Sequence, residues 1–255
     1  MLKRKLFNNK TAIGSWITLA HPAIAEIMAN SGFDWLAIDL EHSVITIREA
    51  EELIRVIELS GVIPLVRLTS NSSDLIKRVM DAGAHGIIVP MVNSAVEAEL
   101  AVQSIKYPPL GRRGVGLARA QKYGADFEGY KEWESSSSIV IVQIEHIEAV
   151  NNLREILSVP GVDGFIVGPY DLTGSMGIPG DFQNFKYLEV MNNIRKISTE
   201  IGVPGGVHII EPDTEQLTKC LNDEYEFIAY SLDIRMLDCS CRSALEGVNK
   251  FRKEK

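Results

Sequence analysis

The stretch Trp35 to Ser43, WLAIDLEHS, ends an apolar run in Asp39, Glu41 and His42. Three further runs end in the same manner: PLVRL carries Arg67, IVIVQIE carries Gln143 and Glu145, and FIVGPYDLT carries Asp171 just beyond its apolar part. Glu145 and Asp171 are hard oxygen donors without clustered histidine or cysteine. Such a pair suits Mg²⁺ or Mn²⁺, with several positions left to water and substrate oxygens, and suits zinc poorly. A histidine titrates near neutral pH and can move protons, while an arginine can stabilise developing negative charge. Taken singly these residues have ordinary explanations, an ion pair for Arg67 or a helix cap for a terminal glutamate. Gathered on one rim they would be expensive to desolvate unless a metal or substrate satisfied them.

The elements that would gather them are legible along the whole chain. Eight short apolar runs read as strands: Thr11–Leu19, Asp34–Leu40, Ile63–Leu68, Gly86–Pro90, Ile139–Glu145, Asp163–Gly168, Val203–Ile209 and Glu226–Leu232. Between them lie helical patterns such as Ile47–Leu59, Ser72–Gly83, Ala95–Ile105 and Tyr187–Ile201, several opened by Ser, Thr or Asn and closed by Gly. This alternation over residues 1–255 predicts one α/β domain, a TIM (β/α)₈ barrel. An open doubly wound sheet is the rival fold, but no G-x-G-x-x-G turn or Walker loop follows any strand. In a barrel the chemistry collects at the carboxyl ends of the strands, where the acids, Arg67 and His42 fall.

The longest interruption, residues 107–138, contains PPLGRRGVGLARAQKYG. Loops of this length are usually functional, and a phosphate cradle, a lid and a subunit-contact loop are all open readings, although the glycines fit no phosphate motif. Arg112, Arg113 and Arg119 within it favour an acidic or polyhydroxylated substrate or are plain solvated charges. No strand contains a lysine, which excludes Schiff-base chemistry in the barrel mouth; Lys77, Lys106, Lys122 and Lys131 fall in helices or the long loop. His146 reads as a helix start, His85 as structural because it precedes its strand, and His208 as a pocket residue.

With 34 acidic against 26 basic residues, the net charge of −8 gives no general support for a nucleic-acid or anionic-membrane partner. The basic start MLKRKLFNNK lacks the apolar core of a signal peptide, so a cytoplasmic location is expected. Cys220, Cys239 and Cys241 are odd in number and lie in helical patterns, which argues against disulfides and makes a zinc site at the last two less apt than helix packing.

In order along the chain, DWLAIDLEHS, PLVRL, VMDAGAHGIIVPMV, YPPLGRRGVG, VQIE and PGVDGFIVGPYDLTGSMG resemble the HpcH/HpaI aldolases, densely from Gly14 to Gly180 and more loosely beyond. The resemblance implies a barrel of the phosphoenolpyruvate/pyruvate type and a class II aldolase that uses a divalent ion (Mg²⁺, Mn²⁺ or Co²⁺) to cleave 4-hydroxy-2-oxo acids to pyruvate and an aldehyde. It implies Glu145 and Asp171 as metal ligands, Arg67 as the group stabilising enolate charge and His42 as the acid/base. Asp81 would raise the basicity of that histidine, and Gln143 with the backbone at Pro169–Tyr170 and Asp171 would meet the substrate. It also implies a homo-oligomer, a hexamer or trimer, whose C-terminal helix swaps between neighbours. Two departures stand out: Tyr170 occupies a position where small residues are common, and the eighth strand lacks the usual glycine-bearing run. Oxaloacetate decarboxylation or a related lyase reaction through the same enolate, and a non-catalytic metal-binding barrel, are the rival readings.

Overall fold

The continuity of the apolar runs decides the architecture, because strands apolar on both faces must bury both of them. The computed structural model describes residues 2–8 and 10–253, with the side chains of 247 and 249–253 outside that description. The strands are β1 (Ala12–Ile17), β2 (Trp35–Asp39), β3 (Ile63–Arg67), β4 (Gly86–Val89), β5 (Ile139–Ile144), β6 (Gly164–Val167), β7 (Gly205–Ile209) and β8 (Phe227–Leu232). All pair in parallel in sequence order and β8 closes on β1, giving the expected barrel. The eight predicted runs are the eight strands, each trimmed by a residue or more.

Side chains of one parity, including Trp16, Trp35, Leu65, Ile88, Ile141, Ile166 and Phe227, fill the barrel interior. Those of the other parity, such as Ile38, Val66, Ile87, Val142 and Val167, pack outward against the helices. The interior is tight: Trp35 stacks on Phe227 with ring centroids 4.3 Å apart, and a Cβ at Gly14 would lie 2.0 Å from the Trp35 ring. A short helix, Leu2–Phe7, inserts Leu2 and Leu6 into the interior cluster, and its Lys5 meets Asp34 at 2.6 Å. The basic start of the chain is therefore a plug for the N-terminal end of the barrel.

The helices form where their caps are. Thr46 and Glu49 make a reciprocal capping box at the start of Ile47–Leu59, and Ser94 caps Ala95–Ile105. The missing glycine of the eighth strand has a local consequence. Ser231 itself takes φ +53°, a left-handed conformation that costs a serine on the order of 1 kcal/mol. It is held there by its Oγ donating to the Ile210 carbonyl at 2.9 Å and by Ser15 Oγ donating to its own carbonyl at 3.2 Å. The C-terminal helix begins at Asp233, whose carboxylate accepts the Thr18 and Leu19 amides at 2.8 Å each and ties β8 to β1. Cys220 and Cys241 lie in helices and, with Cys239, are free thiols. Among the described residues no helix is long and apolar enough to cross a membrane.

The expected long loop is a correction. Residues 127–137 form a helix, preceded by a kinked turn at Arg119–Gly124. Buried Lys106 anchors the end of this helix, donating to the Glu134 carbonyl at 2.6 Å and to Ser138 Oγ at 2.7 Å. Two of the loop arginines are structural. Arg113 is buried between Tyr107 and Tyr130, with Nη1 donating to Tyr130 Oη at 2.9 Å and Nη2 meeting Asp81 at 2.5 Å. Arg119 pairs with Glu58 and donates to the Ala82 carbonyl. Neither faces the mouth of the barrel, so neither recruits an acidic substrate there. His85, as expected, is structural: it meets Glu58 at 3.3 Å and packs on Trp133.

Candidate active site

Strand parity carries the interior alternation up to the rim. Trp35 and Ala37 point inward on β2, and so does Asp39; Leu65 points inward on β3, and so does Arg67; Ile139 and Ile141 on β5 are followed by Gln143 and Glu145. The lower layers are apolar and the upper layer is polar. Its residues meet in a cavity of about 370 Å³ lined by Trp16, Asp39, Arg67, Gln143, Asp171 and His208, among others.

Asp39 and Arg67 are register partners on β2 and β3. The buried Asp39 carboxylate accepts from Arg67 Nε at 2.8 Å and from Nη2 at 2.6 Å, a two-pronged pair that fixes the plane of the guanidinium. Its Oδ1 also accepts the backbone amides of Glu41 and His42 at 3.0 and 3.2 Å, which sets the turn after β2. The other face of the guanidinium lies over the Trp16 ring, 4.4 Å from its centroid. Asp39 and Trp16 are thus positioning residues that the sequence left without a role; the inward parity of β2 was a usable signal, but the register with Arg67 was not readable.

Glu145, just past β5, accepts the Met91 amide at 2.7 Å through Oε1 and the Gln143 side-chain amide through Oε2. Burial raises its carboxyl above the ordinary range, opposed by the bonds from Gln143 and Met91, with repulsion from Asp171 adding to the rise. Asp171 lies in the first turn of the helix Pro169–Ser175 that follows β6. Glu41 completes an acidic cluster. Burial pushes its carboxyl up to about 7, Arg67 pulls it down, and Glu145, Asp39 and Asp171 push it further up. Its Oε2 is buried without a hydrogen-bond partner, 3.5 Å from Arg67 Nη1. Gly168 lets these groups approach: a Cβ there would lie 2.8 Å from Glu145 Oε2 and 3.3 Å from Gln143 Nε2.

Among the described residues no three His, Cys, Asp or Glu side chains converge as a closed metal cluster. Two carboxylates from adjacent β5 and β6, with an orphaned third acid nearby, fit a hard divalent ion that keeps several water or substrate ligands. The all-oxygen donor set fits zinc poorly.

His42 stands at the lip, its side chain 65% exposed and Nε2 3.8 Å from Glu41 Oε2. Within one chain Asp81 pairs with Arg113 instead of with His42. Asp81 ends the helix Ser73–Asp81, which descends from β3 to the opposite end of the barrel, and there it holds Arg113. Pro169 and Tyr170 line the cavity beside Asp171, and Tyr170, 55% exposed, packs edge-on against Phe182 rather than closing the pocket. His146 caps the helix Ile147–Asn151 by accepting the Glu148 amide, so it belongs to the fold as expected.

Two substitutions test this geometry. Glu41→Gln should stabilise the metal-free protein at pH 8 by about 1–2 kcal/mol after solvent screening. The sign follows from linkage: a carboxyl raised from 4.5 to about 7 withdraws stability as pH climbs through that window, so the gain should vanish as pH falls toward 4.5. Urea titrations in EDTA at both pH values would show it; an equal gain at both would remove Glu41 from the acidic cluster. Gly168→Ala should fold yet lose metal-dependent stabilisation, because its methyl displaces Glu145. A normal melting shift with Mn²⁺ in that variant would contradict the packing described.

A family model described as HpcH/HpaI aldolase/citrate lyase matches residues 12–238. The 2-dehydro-3,6-dideoxy-6-sulfogluconate aldolase of Pseudomonas putida is 35% identical over 93% of this chain and 91% of its own length. The 2-keto-3-deoxy-L-rhamnonate aldolase of Shigella dysenteriae is 37% identical over 91% of this chain and 86% of its own. A solved HpcH/HpaI aldolase/citrate lyase family protein from Burkholderia cenocepacia superposes with a TM-score of 0.92 at 31% identity, covering 97% of this chain and 98% of that one. Because the match runs from the first strand of the barrel into its C-terminal helix, and the motifs it spans are those that build the rim, this chain is a carbon–carbon lyase that belongs to the HpcH/HpaI aldolase/citrate lyase family.

Proposed function

We propose that this protein cleaves and forms the C3–C4 bond of a 4-hydroxy-2-oxo acid, giving pyruvate and an aldehyde, with Mg²⁺, Mn²⁺ or Co²⁺ held by Glu145 and Asp171. The observation that carries this reading is the Arg67 guanidinium, locked by Asp39 and sharing one cavity with Asp171 and the Gln143 that holds Glu145. When bound, the ion would supply an electron sink for the 2-oxo group. Arg67 donates hydrogen bonds where negative charge develops on the keto oxygen as the C3–C4 electron pair moves into the enolate. His42, at the solvent lip, takes the C4 hydroxyl proton, and a proton returned to C3 completes pyruvate. Gln143 holds Glu145 in place, and the backbone at Pro169–Tyr170 lies where the substrate would rest.

Two supporting assignments follow. A homo-oligomer, hexamer or trimer, is supported by the exposed apolar stripe Ile234, Leu237, Leu245 and Val248 on the C-terminal helix. The pairing of Asp81 with His42 would then require a second copy, since the two lie at opposite ends of one barrel.

A screen of 4-hydroxy-2-oxo acids with and without Mg²⁺, Mn²⁺ or Co²⁺, detecting pyruvate, tests the reading. Pyruvate released from several of them and stopped by EDTA supports it. Turnover of oxaloacetate alone, with no aldehyde released from any 4-hydroxy acid, replaces it with decarboxylation, and silence under all metals points to a barrel without turnover.

A further inference from the structure

The cavity at the barrel mouth has two unlike halves. Arg67, Asp171 and the Gln143 that holds Glu145 supply the charged half, from β3, β5 and the turn after β6. The other half is the wall of β7, β8 and β1, which are neighbours in the closed ring. Trp16, Ile210, Leu232 and Ile234 line the cavity on or just past those strands. Tyr170 extends their surface at the lip, where it and Ile234 are exposed.

The polar groups of this wall are committed within the fold. Thr18 Oγ1 donates to Asp233 Oδ1 at 2.5 Å, and the same carboxylate accepts the amides of Thr18, Leu19 and Ile234 at 2.8 Å each. Ser231 Oγ donates to the Ile210 carbonyl at 2.9 Å, and Trp16 Nε1 and His208 Nε2 are buried. Cations are equally scarce. Among the described residues that line the cavity there is one arginine and no lysine, and that Arg67 is already gripped at two points by Asp39. His42 stands at the lip 3.8 Å from the Glu41 carboxylate, and burial holds the His208 imidazole neutral, with its pKa pressed down to about 4. Arg113 and Arg119 are held at the other end of the barrel by Asp81 and Glu58. Four carboxyl groups, those of Asp39, Glu41, Glu145 and Asp171, surround the single guanidinium. An anionic tail entering here would exchange water for apolar side chains and a surplus of negative charge, whereas a methyl-ended chain would remove apolar surface from water.

We propose that the wall of Trp16, Tyr170, Ile210, Leu232 and Ile234 receives the chain of the aldehyde and selects one that is uncharged and apolar, so that the protein discriminates against aldehydes ending in a carboxylate, phosphate or sulfonate. This rests on the aldolase reading above, which places the oxo-acid head in the charged half and thereby directs the chain beyond C4 to the opposite wall. The matched pair that tests it is butanal and succinic semialdehyde, equal in carbon number and differing in a terminal methyl against a carboxylate. Each is offered with pyruvate to the Mn²⁺-loaded full-length protein.

The wild type should favour butanal by at least about tenfold in kcat/KM. Ile234→Lys, a cation at an exposed position of the wall, should move that ratio toward the acid by about tenfold. Ile234→Gln, polar but uncharged, should lower the butanal value without raising that of the acid. A wild type that uses the acid as well as butanal, or an Ile234→Lys that scales both alike, overturns the proposal. Should neither aldehyde react, the aldolase reading falls separately. Calorimetric titration with 2-oxoheptanoate and 2-oxoheptanedioate, which share the oxo-acid head and lack the 4-hydroxyl that cleavage needs, then decides the wall by the same comparison. Tighter binding of the monoacid supports it; equal affinities, tighter binding of the diacid or binding of neither overturns it.

Discussion

Arg67→Ala is expected to lower turnover by at least about a hundredfold and to destabilise the protein at the same time. The catalytic loss would follow from removing the donor proposed to meet the developing charge, in a cavity lined by Trp16 above an apolar barrel interior. The stability loss has a different origin. Asp39 keeps only 2% of its side chain exposed, so without the guanidinium its carboxylate is a buried charge retaining only backbone donors. Breaking such a pair costs about 3–5 kcal/mol. Arg67→Lys keeps a charge but loses the two-pronged geometry, and it should recover more stability than turnover. The double change Asp39→Asn with Arg67→Met removes both charges and should recover part of the lost stability while turnover stays low. Urea titration and initial rates on the same preparations separate the two effects. Near wild-type turnover in folded Arg67→Ala would end the assignment of Arg67 to the developing charge.

Glu145→Gln is expected to reduce turnover by on the order of a thousandfold, by removing one of the two carboxylates proposed to hold the ion. The same change should leave the metal-free protein at least as stable as the wild type at pH 8. Glu145 is raised chiefly by burial, so its ionised form is a liability in the empty site; stability withdrawn by that group is lost as pH rises above the ordinary carboxylate range and regained as it falls. Ion binding to the folded state reverses the balance by mass action. Thermal melts with and without Mn²⁺ should therefore show a rise for the wild type and little or none for Glu145→Gln and Asp171→Asn. An undiminished rise in both variants would place the ion elsewhere.

The helix Phe127–Ser137 shows why part of the fold escaped the sequence. Its segment, FEGYKEWESSS, contains a glycine and a serine run that weaken intrinsic helix formation. It is held instead by partners distant in sequence: Tyr130 against Arg113 and Tyr107, Trp133 against His85, and Lys106 on its C-terminal carbonyls. The Leu2–Phe7 plug is a similar case, too short to be stable alone and fixed by the barrel it closes. Arg113 and Arg119 differ from the sequence reading for the same reason, since nothing local distinguishes a solvated Arg113 from one buried beside Asp81.

By itself the sequence determined the eight strands, the parallel barrel and the rim on which Asp39, Glu41, His42, Arg67, Gln143, Glu145 and Asp171 stand. Those follow from short apolar runs that alternate with amphipathic helical segments and end in polar residues, a pattern that local spacing encodes. Only the tertiary structure decided the pairings: Asp39 with Arg67 across β2 and β3, Asp81 with Arg113 away from His42, Trp16 against His208, and Glu41 drawn into the acidic cluster. Each of these depends on strand register and on the direction a helix runs after its strand, which closure of the whole barrel fixes and no local stretch contains.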